Sequence, residues 1–103
     1  MSGYLLTRTA RTDLLVIRSY YLENAGYEVA RNMASEFTRS FQFLGRTPGA
    51  GHQRKDLTED ASIRFWPMRD FLIVYRAAAT PVEILFVVRG SRNIPDLLLN
   101  RMS

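Results

Sequence analysis

His52 is the only histidine in the chain, and there is no cysteine. The side chains that most often hold transition metals therefore cannot form a cluster. The same scarcity limits acid–base chemistry. A serine hydrolase would need His52 as its base, and no serine lies in the small-Ser-small turn that exposes a nucleophilic hydroxyl. Gly45, Gly49 and Gly51 are not followed by Lys-Ser or Lys-Thr, so no phosphate-cradling loop is present. Paired carboxylates occur at Glu59-Asp60, but in a polar stretch near Arg54 and Lys55, where they read as a solvated loop. Residue types and spacing thus give no catalytic set, no metal site and no cofactor site.

What remains is chemistry suited to binding. His52-Gln53-Arg54-Lys55 is the densest polar-basic run. It is either a loop in which His52 bonds to backbone and fixes a crossover, or a contact site for an acidic or phosphorylated partner. Arg89 and Arg92 flank Gly90, which could supply an unusual backbone angle. These arginines either cover a strand end or form a functional basic edge. Leu97-Leu98-Leu99 cannot all face inward on one helix. Either one leucine is simply exposed, or the last helix offers an apolar face to another chain. Trp66-Pro67 reads as structural.

The elements that must position these residues follow from periodicity. Tyr4-Leu5-Leu6-Thr7 fits a brief strand. Ala10, Leu14, Ile17 and Tyr21 recur at helical spacing, with Thr9 as N-cap and Gly26 as stop. A second stripe, Ala30, Met33, Phe37, Phe41 and Leu44, makes another helix, and the short link predicts an antiparallel helical hairpin. Gly45 to Asp60 reads as a crossover loop. The period then changes to two. Ile63 to Trp66 is a near-edge strand ended by Pro67, and Phe71 to Tyr75 is a central strand. After a turn over Ala77–Pro81 comes Glu83 to Val88, with Ile84, Phe86 and Val88 expected on one face. Short turns imply an antiparallel meander. A last helix, Ile94 to Met102, is expected to begin at Asn93 with Pro95 in its first turn. The expected class is α+β: a short N-terminal strand, an antiparallel helical hairpin on an antiparallel sheet, and a short C-terminal helix.

Composition sets the outer limits. One hundred and three residues make one domain, 1–103, and 47% hydrophobic with 23% charged residues is ordinary for a globular protein. No apolar run reaches the ~18 residues that span a membrane, and no signal peptide is visible, which points to the cytoplasm. The net charge is +4, with 14 bases against 10 acids, and Lys55 is the only lysine. The charge is spread evenly over the two halves, so no basic tail marks a nucleic-acid interface.

The second half of the chain resembles a known family. Pro48-Gly49-Ala50-Gly51-His52-Gln53-Arg54-Lys55-Asp56-Leu57 is similar to the Gly-x-Gly-His-x-Arg-x-Asp-Leu crossover of ParE-type toxins. Arg64-Phe65-Trp66-Pro67, Leu72-Ile73-Val74-Tyr75-Arg76 and Val88-Arg89-Gly90-Ser91-Arg92-Asn93 resemble the segments that follow it. The first half agrees more loosely, and the resemblance runs from about Tyr4 to Leu99. It implies the toxin of a bacterial type II toxin–antitoxin pair in the ParE/RelE superfamily. The ParE branch poisons DNA gyrase by binding. Its partner is a ParD-like ribbon-helix-helix antitoxin whose tail wraps the toxin in a hetero-oligomer, which meets operator DNA only through the antitoxin. On this resemblance the target- or antitoxin-binding surface comprises His52, Arg54, Arg89, Arg92, Leu97, Leu98 and Arg101, with no catalytic residue. Arg89 stands where the family often has His, and Asn93 where it often has Asp.

Two alternatives accompany this reading. The RelE branch cleaves mRNA on the ribosome, using basic residues and often a late tyrosine. Here Leu72 occupies the position of that branch's central-strand arginine, and an aliphatic residue near Leu98 that of the tyrosine. Arg92 alone cannot supply both proton transfer and phosphate stabilisation, unless the site is rebuilt from His52, Arg54 and Arg92. The other alternative is a non-toxic relative that keeps only antitoxin binding.

Overall fold

The computed structural model describes residues 3–90. Strand β1 (Tyr4–Leu6) leads into helix α1 (Arg8–Asn24) and helix α2 (Tyr27–Arg46); after a single 3-10 turn at Pro48–Ala50 come β2 (Ile63–Met68), β3 (Phe71–Arg76) and β4 (Val82–Arg89). The helix expected over Ile94–Met102, with its Asn93 cap, lies outside the described residues.

Thr7 ends the first strand and starts the first helix in one residue. Its Oγ1 accepts from Ala10 N at 3.1 Å and donates to Leu85 O at 2.6 Å. The N-cap is therefore Thr7 and not Thr9, because only Thr7 also finds a carbonyl on β4. At the other end Gly26 takes φ +92°, a left-handed angle that suits glycine, and its N–H returns to Tyr21 O. The hairpin turn is as short as the sequence required.

The sheet runs β1-β4-β3-β2. The last three strands form the expected antiparallel meander, but β1 pairs parallel with β4 (Tyr4↔Val82, Leu6↔Ile84), so the sheet is mixed. A parallel neighbour needs a crossover, and the helical hairpin forms part of that connection. β2 continues through Pro67 to Met68. It can do so because Pro67 sits on an edge strand, where its missing N–H costs no ladder bond. That edge is closed further along: Phe65 exchanges both main-chain bonds with His52, at 2.8 and 2.9 Å.

A register shift between Val74 and Tyr75 places Tyr75 opposite Ile84 and Val74 opposite Phe86, leaving Leu85 as the extra residue. The bulge reverses the alternation along β4. Ile84 therefore faces the helices with Val87, while Phe86 and Val88 face away; the three do not share a face as regular alternation predicts. Two apolar clusters result. Met33, Phe37, Phe41 and Leu44 of α2, with Ala10 of α1, pack on Phe71, Ile73, Tyr75 and Ile84. Ile63, Phe65, Leu72, Val74, Phe86 and Val88 form a second cluster on the opposite face, joined by Leu57. The central strand β3 contributes to both, which is why its run is continuously apolar.

Candidate functional site

The crossover is built around one phenol. Tyr75 is fully buried; its Oη donates to Pro48 O at 2.6 Å and accepts from Gly51 N at 2.9 Å. Arg64 Nη1 donates to Gly51 O at 2.9 Å from the neighbouring strand. Gly51 must be glycine here, since a Cβ would lie 2.6 Å from Tyr75 Oη and 2.7 Å from its Cε1. Burial pushes the Tyr75 hydroxyl above the usual phenol range. The Pro-Gly-Ala-Gly segment is thereby fastened to the sheet, and the next residue, His52, is delivered to the edge of β2.

His52 fixes the crossover through its main chain, while its residue surface remains exposed. Arg54 forms a bidentate pair with Asp56, Nη2–Oδ2 at 2.7 Å and Nε–Oδ1 at 3.0 Å. That contact holds the Asp56 carboxyl below the ordinary carboxylate range. Arg89 lies elsewhere. Its guanidinium carbon is 5.4 Å from the ring centroids of both Tyr20 and Phe71, a cation held between two aromatic faces. The register puts His52 beside Phe65, in line with Val74 and Phe86. Arg89 is then about 10 Å along the strands and roughly 14 Å across them from His52. Fold geometry does not gather the His52–Arg54 pair and Arg89 into one constellation. Gly90 takes no left-handed φ; its N–H donates to Asp70 O at 2.9 Å, and a Cβ would make only ordinary contacts. Arg92, Leu97, Leu98 and Arg101 lie outside the described residues.

The structure adds a surface that the sequence reading passed over. Helix α1 spends Ala10, Leu14, Ile17 and Tyr21 on the core, as its period required. It nevertheless leaves Leu15 and Val16 more than 60% exposed, with Tyr20 and Leu22 also in solvent. Apolar residues on both sides of a helix were the available signal. On one flank, Thr12, Val16 and Tyr20 line a groove of about 520 Å³ with Val87 and Arg89. On the other, a groove of about 400 Å³ runs between α1 and α2, floored by Met33, Phe37 and Phe41 and walled by Arg11, Leu15 and Arg18. Arg69 and Arg76 are occupied by Glu36, Asp60 and Glu83. Arg11 and Arg18 have no ion pair among the described residues.

Among the described residues no group of His, Asp or Glu is placed to hold a metal ion. Among them, too, no helix is long and apolar enough to cross a membrane.

Known proteins share the sequence pattern and the fold. The profile of the family described as the ParE toxin of the type II toxin–antitoxin system, parDE, matches residues 4–94. A solved structure from P. aeruginosa, its chromosomal ParDE TA system, superposes with a TM-score of 0.71 at 23% identity, covering 86% of this chain and 96% of that one. That likeness is one of fold. Among curated protein sequences none is similar enough to count as a relative.

Proposed function

This chain belongs to the ParE toxin family of type II toxin–antitoxin systems, and from that premise we propose that it inhibits DNA gyrase by binding and is neutralised by a ParD-like antitoxin. The single domain 1–103 acts without chemistry of its own. The observation that favours binding over ribonuclease action is Leu72. By the family resemblance it takes the position of the RelE branch's central-strand arginine, and it packs into an apolar cluster with Phe65, Val74 and Phe86. A ribose-phosphate transition state needs a cation and a proton carrier near one another. An aliphatic side chain among other apolar residues supplies neither.

In this reading the antitoxin tail places apolar anchors in the exposed hydrophobic grooves of the helical hairpin and carboxylates near its arginines. His52, Arg54 and Arg89, together with Arg92, Leu97, Leu98 and Arg101, are the residues we assign to target or antitoxin contact. The assay is gyrase supercoiling by the purified chain, beside a translation reaction probed for mRNA cuts. Loss of supercoiling or trapped cleaved DNA, with intact mRNA, is expected. Cut mRNA with normal supercoiling would move the protein to the ribonuclease branch.

A further inference from the structure

The sheet has two apolar faces, and the described residues supply a layer for only one of them. Helices α1 and α2 pack on the first. On the second, Leu72, Val88 and Phe86 are 9%, 5% and 2% exposed. Among the described residues neither helix contributes to that cluster, and the packing from outside the strands comes from Leu57. A sheet face stays buried only where another layer lies on it. Leu57 belongs to the crossover, which enters β2 at Ile63. Ile63 pairs with Arg76, whereas Leu72 and Val88 lie opposite one another toward the other end of β3. The two rows are about 13 Å apart, more than one leucine side chain covers.

The chain leaves β4 beside the uncovered end. Gly90 N–H still donates to Asp70 O, and a Cβ at Gly90 would lie 3.9 Å from Leu72 Cγ. Residue 90 therefore carries no side chain on the face that needs a cover, and residues 91–103 follow it. The helix expected over Ile94–Met102 divides cleanly at 3.6 residues per turn. Ile94, Pro95, Leu98, Leu99 and Met102 fall within an arc of about 140°, and Asp96, Leu97, Asn100 and Arg101 fall outside it. Of the three consecutive leucines, Leu97 is the one left out. We propose that residues 94–102 dock as an amphipathic helix on the second face of the sheet, setting Ile94, Leu98, Leu99 and Met102 on Leu72, Phe86 and Val88 and leaving Leu97 and Arg101 as that helix's exposed contact pair. Nine helical residues rise about 13.5 Å, which matches the separation of the two rows. A segment tethered one residue away acts at an effective concentration on the order of millimolar, so in the free protein it occupies the face ahead of an external chain. Leu97 and Arg101 are one turn apart and neighbours on the helix surface, whereas Leu98 belongs to the core.

The docking goes beyond the toxin–antitoxin reading and does not depend on it; the contact role of Leu97 and Arg101 rests on that reading. The full chain, labelled at its Ile, Leu and Val methyls, is studied by nuclear Overhauser spectroscopy. Contacts from Ile94 and Leu98 to Leu72 and Val88 are expected, and none from Leu97. Absence of contacts from residues 94–102, or contacts from Leu97 in place of Leu98, overturns the docking. So does finding these contacts between labelled and unlabelled chains in a mixed sample, which assigns the face to a second copy. Denaturant titration is independent of the spectra. Leu98→Ala is expected to lower the midpoint and Leu97→Ala to leave it unchanged; the reverse order counts against the docking. Gyrase supercoiling then tests the contact pair. L97A/R101A is expected to inhibit on the order of tenfold more weakly than the native chain while melting at the same temperature. If both inhibit equally, the docking stands and the contact pair is wrong. If the native chain does not inhibit gyrase at all, the gyrase reading fails, and the methyl contacts alone decide the docking.

Discussion

Tyr75 holds together two parts of the chain that are 24 residues apart or more, tying Pro48 and Gly51 of the crossover to β3. Its hydroxyl is both donor and acceptor, so Tyr75→Phe leaves Pro48 O and Gly51 N–H without their partner. The expected cost is about 1–3 kcal/mol, because buried polar groups lose their compensation rather than simply a bond. Gly51→Ala attacks the same contact sterically and should cost about 1–3 kcal/mol by overpacking against an immobile ring. Denaturant titration checks both. A pH series adds a sign. The Tyr75 phenol is raised in the folded protein, so its share of stability is complete below the unfolded phenol value near 10 and is lost as pH rises through the folded one. Tyr75→Phe should flatten that alkaline decline; an unchanged slope would mean that the phenol does not titrate with unfolding. The glycines and the tyrosine were visible in the sequence as a motif and a strand end. Their mutual contact was not, because it depends on where the crossover lands on the sheet.

At the level of elements, the join between β1 and α2 shows tertiary contact overriding local preference. Gly45 lies inside α2, where alanine would ordinarily improve a helix by about 1 kcal/mol. Here a Cβ would come within 2.8 Å of Gly3 C and O. Gly3 O accepts from Val82 N, so that backbone is held by the sheet and cannot retreat. Gly45→Ala is therefore expected to lower the melting temperature despite its better propensity, whereas Gly49→Ala, with nothing within 4 Å, should leave it nearly unchanged. Equal melting of the two variants would contradict the close approach. The sequence marked Gly45 as the start of a loop, the usual meaning of glycine after an apolar helix. The β4 bulge was hidden for a related reason. Leu85 is as suited to regular alternation as its neighbours, and only the pairing with β3, together with α1 reaching Leu85 O through Thr7 and Val87 N through Asp13, displaces it from the pattern.

Across the whole molecule, the helical hairpin divides its apolar residues between a buried face and an exposed one. Phe41, 2% exposed and stacked with Phe37, anchors the inner face, and Phe41→Ala should cost about 3–5 kcal/mol. That is a large part of the ~5–15 kcal/mol available to a domain. Leu15→Ala on the outer face should change stability by no more than about 0.5 kcal/mol. Paired chemical denaturation curves test this division; a large loss from Leu15→Ala would mean that the outer face is structural. Much of this was determined by the sequence alone. Hydrophobic period is a local property, so the order of the elements from β1 to β4, the hairpin, the meander and the α+β class could be read from it. The crossover motif likewise carried enough residue identity to indicate the family. Tertiary structure decided the rest: the parallel pairing of β1, the choice of Thr7 as cap, the reversal of faces at Leu85, and the separation of His52 from Arg89. Each depends on which distant backbone group is left without a partner, and that becomes defined only when the elements meet.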